Sequence, residues 1–151
     1  MNRSRGRLTL CGWLIGAILL FIWGNSLLPA EISQALSDWA KSMLVCGAPG
    51  ESSGGSGLLR KIAHFTEFAA LGMSLGWLFG MLGKKKRYPM LWGFGAACVD
   101  ECIQLFVPGR GPGIFDVALD TAGVAVGIVA LYIGYTFIQK RKPLFFGGKQ
   151  I

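Results

Sequence analysis

Four apolar segments, each long enough to cross a lipid bilayer, dominate this chain of 151 residues. A membrane-spanning helix needs roughly 20 mostly apolar residues, and four segments meet that length, at about 8–28, 58–82, 88–107 and 115–138. Hydrophobic residues make up 52% of the chain and charged residues only 15%, which is too apolar for an ordinary soluble domain. The sequence therefore predicts an all-α integral membrane four-helix bundle, with residues 1–151 forming one domain.

Basic residues lie in short clusters at the ends of these segments. Three precede the first segment, four lie at 84–87 and four follow residue 139, so eleven of the fifteen Lys and Arg share one side if the helices alternate. Cytoplasmic loops carry such an excess, so we expect a multi-pass protein of the cell membrane with both termini cytoplasmic. Because the net charge of +7 is spread over helix ends and not over one face, no nucleic-acid partner is expected.

The first outer connection contains an amphipathic stretch at residues 31–46. Helical spacing places one apolar face on it, formed by Ile32, Leu36, Trp39, Met43 and Leu44. A helix of this kind lies in the plane of the membrane interface. We therefore expect a short interfacial helix on the outer leaflet, or alternatively a lid over a site.

Polar side chains interrupt three of the four apolar segments. They are Arg60, Lys61, His64 and Glu67 in the second segment, Asp100, Glu101 and Gln104 in the third, and Asp116 and Asp120 in the fourth, with Arg110 in the last loop. Ionisable groups inside a bilayer cost several kcal/mol and persist mainly where they pair, face a bundle interior or serve a site. At about 1.5 Å per residue, all of them lie in the outer half of the membrane. The sequence thus predicts one shared polar site near the outer surface.

Glycines recur at helical packing spacing below these polar residues. They form two stripes, Gly72, Gly76 and Gly80 in the second segment and Gly123 and Gly127 in the fourth. Such stripes let helix backbones approach closely. We expect a compact bundle; the alternative use of the stripes is contact between copies in a homo-oligomer.

Two motifs resemble those of VanZ-like membrane proteins. Residues 60–68, RKIAHFTEF, are similar to the family's K-x-x-H-F-x-E-Y element, and residues 100–123 are similar to its D-E-x-x-Q…R…D-V…N-x-x-G run. Asp120 stands where that pattern has Asn. The resemblance implies a role in the cell envelope, since VanZ is linked to low-level resistance to teicoplanin-type lipoglycopeptides. The polar signature that it carries over is His64, Glu67, Asp100, Glu101, Gln104, Arg110 and Asp116.

A pocket for an anionic envelope component is the first interpretation of the polar residues. The ligand would be a membrane lipid or a lipid-linked envelope precursor, bound by Arg60, Gln104, Arg110, Asp116 and Asp120. Five of the six residues 108–113 are Gly or Pro, so backbone amides beside Arg110 can approach a ligand. Catalysis, if present, would be hydrolysis or transfer with water as the nucleophile. The acid and base would come from His64, Glu67, Asp100 and Glu101.

A divalent metal is the second interpretation. Carboxylates and one imidazole on facing helices are typical of metal sites in helical bundles, and hard divalent cations favour oxygen ligands. The predicted ligands are His64, Glu67, Glu101 and Asp116.

A purely structural role is the third interpretation. Ion pairs between Arg60 and Glu67, and between Arg110 and Asp116 or Asp100, would hold the helices together. Buried ion pairs stabilise less than apolar packing does, so this interpretation explains the cluster less well. Transport is disfavoured because the cytoplasmic half lacks polar residues to continue a path.

Overall fold

The computed structural model describes residues 2–44, 55–85, 87–110 and 113–141, and these residues form helices and no strand. The helices are α1 (Asn2–Ser26), α2 (Ala30–Leu44), α3 (Gly55–Met81), α4 (Arg87–Leu105) and α5 (Ile114–Arg141). The all-α prediction is confirmed, and the four predicted apolar segments coincide with α1, α3, α4 and α5.

Three of the described helices are long and apolar enough to cross a membrane. The candidate spans are Arg5–Ser26, Gly57–Met81 and Ile114–Gln139. Helix α4 is not among them, because its two acids and Gln104 lower the mean hydropathy of a helix of only 19 residues. The helices therefore indicate a membrane protein with three candidate spans, and the predicted fourth span stays a prediction.

Helices α3 and α4 run in opposite directions. Near the end of α3, Phe79 stacks against Tyr88 at the start of α4, with ring centroids 6.0 Å apart. At the other end, Arg60 in α3 donates a hydrogen bond of 3.0 Å to Gln104 in α4. After Met81, the chain thus returns through α4 to the end at which α3 begins.

Helix α3 packs mainly against α5, and glycines make this contact close. A Cβ atom at Gly123 would collide with the carbonyl oxygen of Phe65, and one at Gly127 would collide with that of Ala69, one turn further along. The two helices therefore run in the same direction with their backbones in contact. A Cβ atom at Gly80, which ends the predicted stripe on α3, would meet no atom of another helix within 4 Å. Gly80 therefore does not belong to this close contact, the α3–α5 seam.

The apolar core lies between the four long helices. Its fully buried members are Ile22 in α1, Phe68 and Leu71 in α3, Ala97 in α4 and Val124 in α5. Since every long helix contributes to it, the core fixes how the helices are rotated about their axes. That rotation decides which polar side chains face one another above it.

Helix α2 covers the predicted amphipathic stretch, with its ends shifted by one or two residues. Ile32, Leu36 and Trp39 are 53%, 52% and 59% exposed, so its apolar face points away from the described bundle. The side chains of Met43 and Leu44, which complete the predicted face, lie outside the described part of the chain. Placement of this helix at a membrane interface stays a prediction.

Candidate functional site

The predicted polar residues lie at the end of the bundle where α1 and α4 end and α3 and α5 begin. Near the end of α1, the Nδ2 atom of Asn25 donates a hydrogen bond of 3.2 Å to the Oε1 atom of Glu67. Lys61 in α3 pairs with Asp116 in the first turn of α5, with 3.0 Å between Nζ and Oδ1. Helix directions and side-chain contacts thus place polar groups from four helices at one depth.

A cavity of about 170 Å³ opens among these side chains. It is lined by Gly57, Arg60, Lys61, His64, Gln104, Gly109, Arg110, Asp116, Leu119 and Asp120. Six of the nine predicted site residues are in this lining. The other three, Glu67, Asp100 and Glu101, are not.

Gln104 connects a cation to a buried acid. Its Oε1 atom accepts the hydrogen bond from Arg60, and its Nε2 atom donates to the Oδ2 atom of Asp100 at 2.7 Å. Asp100 is fully buried, and its Oδ1 atom has no hydrogen-bond partner among the described residues. The Nδ1 atom of His64 lies 3.9 Å from the bonded Oδ2 atom. One side chain therefore orients both Arg60 and Asp100.

Arg110 is held over the cavity by one of its three nitrogens. Its Nη2 atom donates a hydrogen bond of 3.2 Å to the carbonyl oxygen of Asn25. The Nε and Nη1 atoms are buried and have no hydrogen-bond partner in the described part of the chain. Burial lowers the pKa of the Arg110 guanidinium, the charge of Arg60 lowers it further, and Asp100 raises it. The group stays charged, so two mutually repelling guanidinium groups line the cavity.

Glu67 and Glu101 form hydrogen bonds with residues that do not line the cavity. Glu67 faces α1 through its hydrogen bond with Asn25. The Oε1 atom of Glu101 accepts a short hydrogen bond from the backbone N–H of Gly113, the residue before α5. Glu101 thus fixes the start of α5, and the acid or base roles predicted for both residues would have to be exerted from behind the lining.

The charges pair differently from the predicted ion pairs. Arg60 reaches across to α4 and does not bond Glu67, which lies almost two turns away on the same helix. Asp116 pairs with Lys61 and not with Arg110. The ion pairs that were predicted to hold the helices together therefore do not form.

Sequence reasoning missed Asn25, which contacts both Glu67 and Arg110. Its signal was an amide side chain in the last turn of an otherwise apolar helix. Polar residues are common where a membrane span ends, so an amide at this position does not indicate a functional site. Asn25 supplies the contribution of α1 to the site.

His64, Asp100 and Asp120 form a group that could hold a metal ion. One ligand atom from each lies within 4.8 Å of the others, and all three residues are buried. Of the ligands predicted from the sequence, only His64 belongs to this group. Glu67, Glu101 and Asp116 face the other partners described above.

Comparison with protein families gives one clear match. The model of the VanZ/LLP1 family matches residues 12–135, a stretch that covers most of the chain and contains every predicted site residue. No curated protein and no solved structure matches the chain. The resemblance inferred from the two motifs is thereby confirmed, and the chain belongs to the VanZ/LLP1 family.

Proposed function

We propose that this VanZ/LLP1 family member binds the anionic headgroup of a membrane lipid, or of a lipid-linked envelope precursor, in its polar cavity. The cavity would face the outer leaflet of the cell membrane. Arg60, Lys61 and Arg110 line it together. Asp116 and Asp120 share the lining with these three cations, so with His64 neutral the lining carries one net positive charge, which favours an anion as the occupant.

The unpaired donors of Arg110 carry this proposal. A buried donor without a partner costs about 1–3 kcal/mol, and native structures leave few such groups. Phosphate or carboxylate oxygens in the cavity would accept hydrogen bonds from Nε and Nη1, the two atoms that lack partners among the described residues. The same anion would offset the burial of the Arg110 guanidinium and its repulsion by Arg60, the two causes that lower the pKa of Arg110.

The shape of the bundle favours a lipid over a soluble anion. A second, apolar cavity of about 730 Å³ lies between α1, α3 and α4, lined by side chains such as Leu19, Leu75 and Leu91. Its lining includes Trp23 and Val99. In the sequence, these residues lie close to Asn25 and Asp100, which belong to the polar end. A headgroup in the small polar cavity and an acyl chain in the apolar one would match the two surfaces.

The proposed topology includes α4 as a fourth crossing. At about 1.5 Å per residue, its 19 residues span nearly the roughly 30 Å of a hydrocarbon core. Helix α4 also returns the chain to the polar end, as the bond between Arg60 and Gln104 requires. Lys84, Lys85 and Arg87 and the start of α1 then lie at the opposite end, where the positive-inside rule favours the cytoplasm. Helix α2 would lie on the outer leaflet with its apolar face in the lipid.

Cysteine labelling of intact cells tests this topology. In a chain whose four native cysteines are replaced, Pro108→Cys should react with a membrane-impermeant maleimide and Lys84→Cys should not. Labelling of both sites from the same side would exclude α4 as a crossing helix.

Binding of an anionic lipid tests the proposed function. Protein in nanodiscs that contain phosphatidic acid or phosphatidylcholine should bind phosphatidic acid preferentially. Arg110→Gln should weaken that preference about 10–100-fold, because a hydrogen bond to a charged group contributes about 1.5–3 kcal/mol. Arg7→Gln removes the same charge from an exposed position at the other end of α1 and should bind like wild type. Equal binding by wild type and Arg110→Gln would refute the proposal.

The family resemblance extends the proposal to antibiotic susceptibility. Binding of an envelope precursor at the outer leaflet would alter access of teicoplanin-type lipoglycopeptides to their target. Expression of the wild-type protein should then raise the inhibitory concentration of teicoplanin, and expression of Arg110→Gln at the same level should not. An unchanged inhibitory concentration with the wild-type protein would show that headgroup binding does not lead to teicoplanin resistance.

Processing of the headgroup is a second candidate, and the position of His64 favours it. His64 lines the cavity beside Arg60, so its imidazole could activate a water molecule next to a bound anion. Mass spectrometry of the lipids after incubation with wild type and with His64→Gln would detect a product. A product formed equally by both proteins would remove His64 from this role.

A further inference from the structure

We infer that His64, Asp100 and Asp120 bind one divalent transition-metal ion in the wall of the polar cavity. The three residues come from three different helices, α3, α4 and α5, and meet above the apolar core. This inference goes beyond headgroup binding, because it assigns a separate ligand to residues other than the arginines.

The spacing of the ligand atoms suits a metal ion of the size of zinc. One imidazole nitrogen and one oxygen from each carboxylate lie within 4.8 Å of one another. Bonds of about 2.0–2.2 Å place the ligand atoms around such an ion roughly 3–4 Å apart. Side-chain rotations that shift each ligand atom by about 1 Å would therefore bring the three atoms to bonding distance of one ion.

The burial of the group supplies independent support. His64, Asp100 and Asp120 are only 7%, 0% and 3% exposed. Within the described ranges, the Nδ1 atom of His64 and the Oδ1 atom of Asp100 are buried without a hydrogen-bond partner. Buried carboxylates are normally paired or coordinate metals. An ion between these atoms would give both of them a partner.

A bound cation would also offset the net charge of the fully ionised site. Its acids outnumber its basic residues by five to three among the described side chains: Glu67, Asp100, Glu101, Asp116 and Asp120 against Arg60, Lys61 and Arg110. With all groups ionised and His64 neutral, two negative charges remain. A divalent cation beside Asp100 and Asp120 neutralises them.

The ligand types indicate the class of metal. Two carboxylates and one imidazole form a mixed oxygen and nitrogen set, which suits Zn²⁺ or Mn²⁺ better than Mg²⁺ or Ca²⁺ because imidazole favours transition metals. Three protein ligands leave a coordination position open, as in catalytic zinc sites. Because His64 and Asp120 line the cavity, that open position would face it.

Metal analysis of the full chain tests the inference. Detergent-purified protein is stripped with a chelator, incubated with Zn²⁺ or Mn²⁺, freed of excess ion by gel filtration and analysed by mass spectrometry for metals. We expect about one ion per chain in the wild type and a loss of at least tenfold in occupancy in Asp120→Asn, a near-isosteric change. Asp116→Asn, one turn away on the same helix and paired with Lys61, should keep its ion.

Thermal unfolding separates loss of the ion from loss of the fold. The metal-free Asp120→Asn protein should be as stable as metal-free wild type or more so, because the substitution removes a negative charge beside Asp100. Added metal should raise the unfolding temperature of the wild type and of Asp116→Asn, but not that of Asp120→Asn. Wild type that retains no ion, or equal retention by Asp120→Asn and Asp116→Asn, would overturn the inference. Lipid binding is measured separately, so either ligand can fail without the other.

Discussion

The contact between α3 and α5 differs sharply between its polar end and its middle. In the middle, the two backbones touch because glycines leave no side chain between them. At the polar end, the same helices line a cavity of about 170 Å³, and buried donors and acceptors lack partners within the described chain. Close packing in one region thus positions incompletely paired polar groups in the other. Stability should depend on the middle and ligand binding on the polar end.

Substitution of a glycine in the seam should have the largest effect on stability. In Gly127→Val, the new side chain would collide with the backbone around Ala69 and push the helices apart. We expect a loss of about 3 kcal/mol or more in the free energy of unfolding, at the upper end of what overpacking costs. A Cβ atom at Gly134 on the same helix would meet no atom within 4 Å, so Gly134→Val should leave stability nearly unchanged. Equal stability of the two variants, measured by thermal unfolding in detergent, would show that the seam is not the stabilising region.

Removal of the amide that joins Arg60 to Asp100 should have an intermediate effect. Gln104→Leu leaves both charged groups without the hydrogen bonds that they now make, and this should cost about 1–3 kcal/mol of stability. The exposed Gln139, which bonds the hydroxyl of Tyr135, offers the matched control Gln139→Leu, with a change near zero. A more stable Gln104→Leu protein would mean that the polar end gains nothing from this connection.

Separation of the ion pair between Lys61 and Asp116 should have the smallest effect. Their side chains are 55% and 36% exposed, so solvent screens the attraction, and exposed pairs contribute at most about 1 kcal/mol. A double-mutant cycle with Lys61→Gln and Asp116→Asn should give a coupling energy below that value, and added salt should reduce it. A coupling energy above about 2 kcal/mol would place the pair in a less hydrated environment than its exposure indicates.

Hydrophobicity and helical spacing predicted most of the fold. The four long helices follow from runs of apolar residues, and α2 follows from its amphipathic spacing. The fourth crossing stays a prediction because the acids on α4 that contribute to the polar site also lower the mean hydropathy of that helix. Gly80 shares the spacing of the seam glycines but lies beyond the contact with α5, and no pattern along one helix shows where contact with another ends.

The polar site could be predicted as a set of residues but not as a set of pairs. The i, i+4, i+7 spacing of Arg60, His64 and Glu67 places them on one stripe. Which partner each one meets depends on the rotation and offset of the neighbouring helices, which backbone contacts such as those at Gly123 determine. Glu67 consequently faces α1 and meets Asn25, a partner that no pattern within α3 could predict.

Gly109 lies directly before Arg110 and has a positive φ of 77°. A residue with a side chain would be strained there by about 1–2 kcal/mol. Its Cβ atom would also lie only 3.1 Å from the methyl group of Ala30, at the start of α2. Two separate constraints therefore reserve this position for glycine. Even alanine would strain the backbone directly before Arg110 and press against Ala30, so the loop that carries the guanidinium group and the start of the amphipathic helix depend on the same missing side chain.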